Sequence, residues 1–167
     1  RMARANANAG RNLGLAHAKG DIVAFPDDDC VMPPGVLARV RLAFDSDGRL
    51  AVLTGPAAAP EGGLGSGRWN AERGPITLDN VWLRRGVALE LGGFDENMGP
   101  GARFGSAEGN DLVCRAMAAG YLARYAPELR VVHPDKRLSR AAALRAGRYG
   151  LGLGFALSRH GAPMKLR

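Results

Sequence analysis

The sequence predicts an α/β fold, a largely parallel sheet flanked by helices. Three observations lead there. Apolar runs of strand length alternate with stretches of helical periodicity, the first such run, "DIVAF", is apolar on both faces, and Gly or Pro marks the junctions. At 167 residues, 46% of them hydrophobic, the chain fits one ordinary domain with enough apolar content to bury a core.

The elements follow in order. Ala3 to Ala18, rich in Ala, Asn and Leu, reads as a helix, and Gly20-Asp21 turns the chain into a strand at Ile22 to Phe25. Pro33-Pro34 start a second helix over Gly35 to Phe44, with Val36, Leu37, Val40 and Phe44 at helical spacing. "RLAVLTGPA" is a further strand. Gly55 to about Asn80 carries many Gly and Pro residues and reads as a long loop of the kind that often serves as a lid. "NVWLRR" is a short strand, "GVALELGG" a helix ending at paired glycines, and "GPGARFGS" a second Gly-rich loop. Ser106 is placed to cap a helix over Ala107 to Ala119, which Gly120 stops. "YLARYAPELRVVHP" supplies a strand region ending at His133, and Arg137 to His160, with four glycines, has only moderate helical character.

The formal net charge of +7 favours anionic partners. The arginines are spread along the chain, aromatics are few, and no RNA-binding or helix-turn-helix signature stands out, which argues against nucleic acid as the partner. Arg is the dominant cation, and its planar fork suits phosphate. Cys30 and Cys114 have neither CxxC spacing nor disulfide density, so both read as small buried hydrophobes in a reducing compartment. The chain begins at an arginine and shows neither a secretory h-region nor an apolar run long enough to cross a bilayer. The expectation is a soluble fragment without targeting information.

The chemistry concentrates in "GDIVAFPDDDC". Three adjacent carboxylates, Asp27, Asp28 and Asp29, end an apolar strand, where open α/β sheets bind their ligands. Clustered carboxylates repel unless a cation offsets them, and hard oxygen donors suit Mg²⁺ or Mn²⁺ held together with substrate phosphates. The plainer reading is that one aspartate caps the next helix and the others are solvated. Glu108 and Asp111 lie three apart on a predicted helix, hence on one face; either would serve as a general base, or both would offset the helix dipole. Trp82, inside a strand, reads as core, and Trp69 as a loop anchor.

Two blocks carry a resemblance. "GRNLGLAHAKGDIVAFPDDDC" resembles the RN-x-G…A-x-GD…DxD block of family-2 glycosyltransferases of the GT-A fold, and "LGGFDENMGPGARFGSAEGNDLVCRAMAAGYLARYAPELRVVHP" resembles their second block. "NVWLRR" followed by "GGFDE" is similar to the stretch before the family's acceptor site. The family's N-terminal strands, which carry the nucleotide-base pocket, have no counterpart before Arg1. The resemblance therefore implies a C-terminal part of the catalytic domain over residues 1–135 and a basic helical extension over 136–167, similar to the tail of bacterial relatives.

The resemblance implies an enzyme that moves a sugar from a nucleotide-diphosphate donor to a hydroxyl acceptor on a glycan, lipid-linked carrier or protein, by inverting displacement with Mn²⁺ or Mg²⁺ as cofactor. It implies Asp27, Asp29 and His133 as metal ligands, with Arg11, Asn12, Asp27 and Asp28 binding the donor. The base comes from the "ED" motif, here "SAEGND", in which Glu108 matches the Glu and Gly109 stands in place of the Asp; Glu108 and Asp111 are both candidates. Arg84 and Arg85 read as a solvated strand end rather than diphosphate ligands. A cytoplasmic location at the inner face of the membrane, with peripheral contact through the basic tail, follows from a lipid-linked acceptor. Two alternatives remain open: a non-catalytic sugar-nucleotide or glycan-binding relative, and a nucleotidyltransferase, which would release pyrophosphate.

Overall fold

The computed structural model describes residues 6–58, 78–133 and 140–160. The elements run α1 (Ala7–His17), β1 (Ile22–Ala24), α2 (Val36–Ser46), β2 (Leu50–Thr54), β3 (Ala57–Ala58), a 3-10 turn (Leu78–Asn80), β4 (Val81–Arg84), α3 (Arg85–Glu90), α4 (Glu108–Ala118), β5 (Leu122–Tyr125), β6 (Val131–Val132) and α5 (Arg140–His160). Most of the expected loop between Gly55 and Asn80, with Trp69, lies outside the described residues, as does the start expected for the first helix at Ala3.

One sheet has the order β1-β4-β2-β5. β4 is antiparallel to both neighbours, and β2 and β5 are parallel. Three strands thus share a direction and β4 alone opposes them; the alternating pattern predicts a largely parallel sheet, whereas this sheet is mixed, with two of its three pairings antiparallel. The expected single strand "RLAVLTGPA" divides in two, because β3 leaves the main sheet to pair in parallel with β6. Gly55 sits at the division, where an added Cβ would overlap the Leu129 carbonyl, and Pro56 cannot donate to a ladder.

The sheet has helices on both faces. Leu15, Ala51, Val81, Leu83, Val87, Leu112, Val113 and Ala123 form a core under α1, α3 and α4. Val36, Val40, Phe44, Leu50, Leu53 and Trp82 form a second core under α2. Val81 and Leu83 of β4 face one core while Trp82 faces the other, as the two-residue period of a strand requires. Trp82 is the core residue its sequence position implies, its indole N–H donating to Asn80 Oδ1 at 2.9 Å.

Arg84 is likewise structural. It donates to the carbonyls of Leu50 (2.8 Å) and Phe44 (2.9 Å), serving an orphan carbonyl in the last turn of α2, and lies 5.3 Å from the Phe44 ring centroid. Arg85 donates to the Gly20 carbonyl at 3.1 Å.

Two sequence expectations need correction. Ser106 does not cap α4: its hydroxyl donates to the Tyr149 carbonyl of α5 at 2.9 Å, and Ala107 occupies the cap position with φ 64°. The last segment is more helical than its glycines suggest, a continuous helix of 21 residues. Packing outweighs propensity there. Phe155 stacks on Phe104 with centroids 3.9 Å apart, and Gly152 lies so close to Ser106 that a Cβ would overlap it.

The "RN" and "GGFDE" motifs turn out to be two sides of one clasp. Asn12 on α1 accepts from Phe94 N–H (2.8 Å) and donates to Phe94 C=O (3.0 Å) and to Glu96 Oε1 (3.1 Å). Gly93 makes the approach possible: its φ is 72°, and a Cβ would overlap Asn12 Oδ1. Gly93→Ala is expected to destabilise the fold by about 2–4 kcal/mol, summing left-handed strain and two disturbed hydrogen bonds. Urea unfolding reads this as a lower midpoint at unchanged slope; an unchanged midpoint would mean that the clasp carries no stability.

Candidate active site

The C-terminal ends of β1, β2 and β5 and the N-terminal end of β4 lie at one edge of the sheet, and the carboxylates gather there. After β1 the chain turns through Asp28 and Asp29, with Cys30 N–H bonded to Asp27 C=O at 3.1 Å. Val31 and Val132 then exchange two backbone hydrogen bonds, of 2.8 and 2.9 Å. That bridge brings His133, the residue after β6, against the aspartates: its Nε2 is 3.4 Å from Asp29 Oδ1 and 3.8 Å from Asp27 Oδ2. Asp28 is exposed at the turn.

Asp79 joins this group, and sequence reading did not single it out. β1 and β4 pair with Ile22 opposite Arg84 and Ala24 opposite Trp82; continuing that register past the strands sets Asp27 opposite Asp79. A carboxylate just ahead of an apolar strand was the available signal, but only the pairing gives it meaning. Asp27, Asp79 and His133 hold one donor atom each within 4.8 Å of one another, and so do Asp29, Cys30 and His133. Two carboxylates and an imidazole at this spacing fit a divalent cation.

The reading of Cys30 as a buried hydrophobe is corrected here. Its thiol lines the acidic cluster, and its pKa is pushed up to about 11, first by burial and then by the Asp79 charge. Such a thiol stays protonated at neutral pH. Cys114, on α4, is partly buried, and burial raises its pKa too.

Arg11 connects the cluster to α4. Its guanidinium lies 2.9 Å from Glu108 Oε1 and 3.9 Å from Asp27 Oδ1. It also donates to Asn8 Oδ1 at 2.8 Å and lies 5.7 Å from the Phe94 ring centroid. Asn8, fully buried and unremarked in the sequence, holds the other side: its amide donates to the carbonyls of Asp95 and Met98 at 2.8 and 2.9 Å. The helix α1 thus presents Asn8 from its first turn and Arg11 and Asn12 from the next, the asparagines fastening the loop after α3 and the arginine reaching the carboxylates.

Glu108 and Asp111 share the first turn of α4 but not their surroundings. Glu108 is 8% exposed and turned toward Arg11. Asp111 is wholly buried; Arg115 Nε donates to its Oδ2 at 2.8 Å, and His160 Nε2 lies 2.9 Å from its Oδ1. Arg159 is 3.5 Å from the same oxygen. Asp111 therefore ties α4 to α5. At Gly109 an added Cβ would stand 3.3 Å from Leu78 Cβ and Cδ1, so Leu78 fills the space in which a side chain would begin.

A cavity of about 920 Å³ opens at the opposite end of the sheet, beside Gly48, Arg84, Val87 and Tyr121; none of its lining residues is acidic or a histidine.

The helix-flanked mixed sheet, with aspartates following a strand and meeting a histidine, is the arrangement expected of the GT-A fold that the motifs resemble. The model of the family described as glycosyl transferase family 2 matches residues 3–94, more than half of the chain, and the chain belongs to that family. Among solved structures, 27 chains match. One is the mannosyltransferase PcManGT from Pyrobaculum calidifontis in complex with GDP-Man and Mn²⁺, with a TM-score of 0.68 at 20% identity. That likeness covers 98% of this chain and 46% of the mannosyltransferase, so the chain spans less than half of that protein's length. No curated protein matches the sequence.

Proposed function

We propose that the protein transfers a sugar from a nucleotide-diphosphate donor to a hydroxyl acceptor on a glycan, lipid carrier or protein, with inversion at the anomeric carbon. The observation that carries this reading is Arg11, which stands between the Asp27 cluster and Glu108 and so joins the place for a donor to the place for a base. The GDP-Man and Mn²⁺ held by the structural neighbour support the choice of donor class and metal.

Asp27 and His133 are assigned to the cation, with Asp29 and Asp79 on either side. When bound, a divalent ion such as Mn²⁺ or Mg²⁺ would offset the charge that develops on the leaving nucleoside diphosphate. Arg11 adds positive charge on the same side, and the exposed Asp28 is assigned to donor hydroxyls. Glu108 accepts the proton of the acceptor hydroxyl as that oxygen attacks, since its carboxylate has one basic partner. Asp111, enclosed by Arg115 and His160, holds α4 in place. Asn12 acts on the site through the loop it clasps.

One observation favours a second reading, a non-catalytic sugar-nucleotide binder: Gly109 replaces the Asp of the family motif, and Leu78 lies where its side chain would begin. Turnover separates the two. The full-length protein with Mn²⁺, a panel of nucleotide-sugars and hydroxyl acceptors is expected to release a nucleoside diphosphate in step with acceptor glycosylation. Donor binding without release would leave the binding reading standing, and pyrophosphate release would replace both with nucleotidyl transfer.

A further inference from the structure

Cys30 takes no part in the transfer chemistry, yet its sulfur stands among the carboxylates. Among the described residues the donors at this edge of the sheet fall into two sets of different character. Asp27, Asp79 and His133 offer two oxygens and an imidazole nitrogen, whereas Asp29, Cys30 and His133 offer one oxygen, one sulfur and an imidazole nitrogen. Within each set the donor atoms lie within 4.8 Å of one another.

Backbone pairing holds the sulfur-containing set together. Asp29 and Cys30 are neighbours in the turn that the Cys30 N–H closes on the Asp27 carbonyl at 3.1 Å. The two hydrogen bonds between Val31 and Val132 then fix His133 against that turn, with its Nε2 3.4 Å from Asp29 Oδ1. The imidazole is largely buried and the Asp29 carboxylate half exposed, so an ion reaches the set from the solvent side of the aspartate.

We propose that Asp29, Cys30 and His133 form a second cation site, for Zn²⁺ or another thiophilic divalent ion, which competes with Mn²⁺ for His133. Oxygen-rich sets suit Mg²⁺ and Mn²⁺, while sulfur beside imidazole and carboxylate is a zinc donor set, and a site of N, O and S donors binds Zn²⁺ more tightly than Mn²⁺. On binding, the sulfur–metal bond forms as the thiol proton leaves to solvent, and one thiolate with one carboxylate balances the two charges of the ion. A neutral imidazole has a single nitrogen lone pair, so His133 serves one ion at a time. The competition rests on the assignment of His133 to the cation of the transfer reaction; the thiolate site itself does not.

Co²⁺, which takes the place of Zn²⁺ and absorbs light where Zn²⁺ does not, tests the site in the full chain. Titration is expected to raise a near-ultraviolet thiolate-to-metal charge-transfer band that added Zn²⁺ abolishes. Cys30→Ser is expected to lose the band and at least about 100-fold in Zn²⁺ affinity, whereas Cys114→Ser keeps both. Serine is close to cysteine in size and keeps a donor, so Mn²⁺ affinity of Cys30→Ser, read from the electron paramagnetic resonance of free Mn²⁺, is expected to stay within about threefold, below the cost of losing even an outer-sphere partner. Zn²⁺ is expected to release Mn²⁺ from the parent at lower concentration than from Cys30→Ser. No band in the parent, a band that needs Cys114, or equal release of Mn²⁺ from parent and Cys30→Ser would overturn the proposal, and Mn²⁺ retained beside bound Zn²⁺ would overturn the competition. None of these readings needs turnover: a protein that shows the band but transfers no sugar would sink the transfer reading alone.

Discussion

Glu108→Gln is expected to lower the rate of sugar transfer by about 100- to 10,000-fold, the range a positioned general base contributes, while donor affinity stays within about threefold. The substitution keeps the shape of the side chain and an oxygen for Arg11 to bond, so the site retains its geometry. It removes the negative charge opposite a guanidinium 2.9 Å away, in a pair whose side chains are 10% and 16% exposed. Weakening that charged hydrogen bond costs about 2 kcal/mol of stability. The measurement is kcat at saturating donor and acceptor beside donor Kd from calorimetry. A variant with full activity would take the base role away from Glu108, and one that lost donor binding along with turnover would make its pairing with Arg11 the essential feature.

Asp27→Asn is expected to weaken Mn²⁺ binding by at least about 100-fold, because losing a direct ligand exceeds the 10- to 100-fold cost of losing an outer-sphere partner. Asp27 belongs to the group with Asp79 and His133 and also lies 3.9 Å from Arg11. Titration of free Mn²⁺ by electron paramagnetic resonance measures this without any turnover. The side chain is 41% exposed, so the fold should lose no more than about 0.5 kcal/mol. Unchanged Mn²⁺ affinity would return the triplet to its plainer reading as a solvated turn.

The share of the site legible in the sequence follows from how each residue reaches it. Asp27 and Asp29 were visible because a strand followed by carboxylates is a local pattern, and strand direction alone carries it to the ligand edge of the sheet. His133 was visible through its place in a block of matching motifs. Asp79 was not, since an acidic residue before "NVWLRR" looks like any loop residue until β4 is known to pair antiparallel with β1. Asn8 was missed for a similar reason, its two carbonyl partners lying 87 and 90 residues away. Cys30 was assigned to the core on its residue type, whereas the Val31–Val132 bridge places it among the carboxylates.

By itself the sequence determined the α/β class and the order of its main strands and helices, which rest on local periodicity and turn residues, and its two motif blocks carried the resemblance to a family. Only the tertiary structure decided that β4 alone runs against its neighbours and that Arg11 joins Asp27 to Glu108, which lies 97 residues from Arg11. It also separated Glu108 from Asp111, three positions apart on one helix, by closing α5 over the second and leaving the first beside Arg11. The physical reason is that register and long-range packing fix which side chains meet. A local pattern sets only which way each side chain faces on its own element.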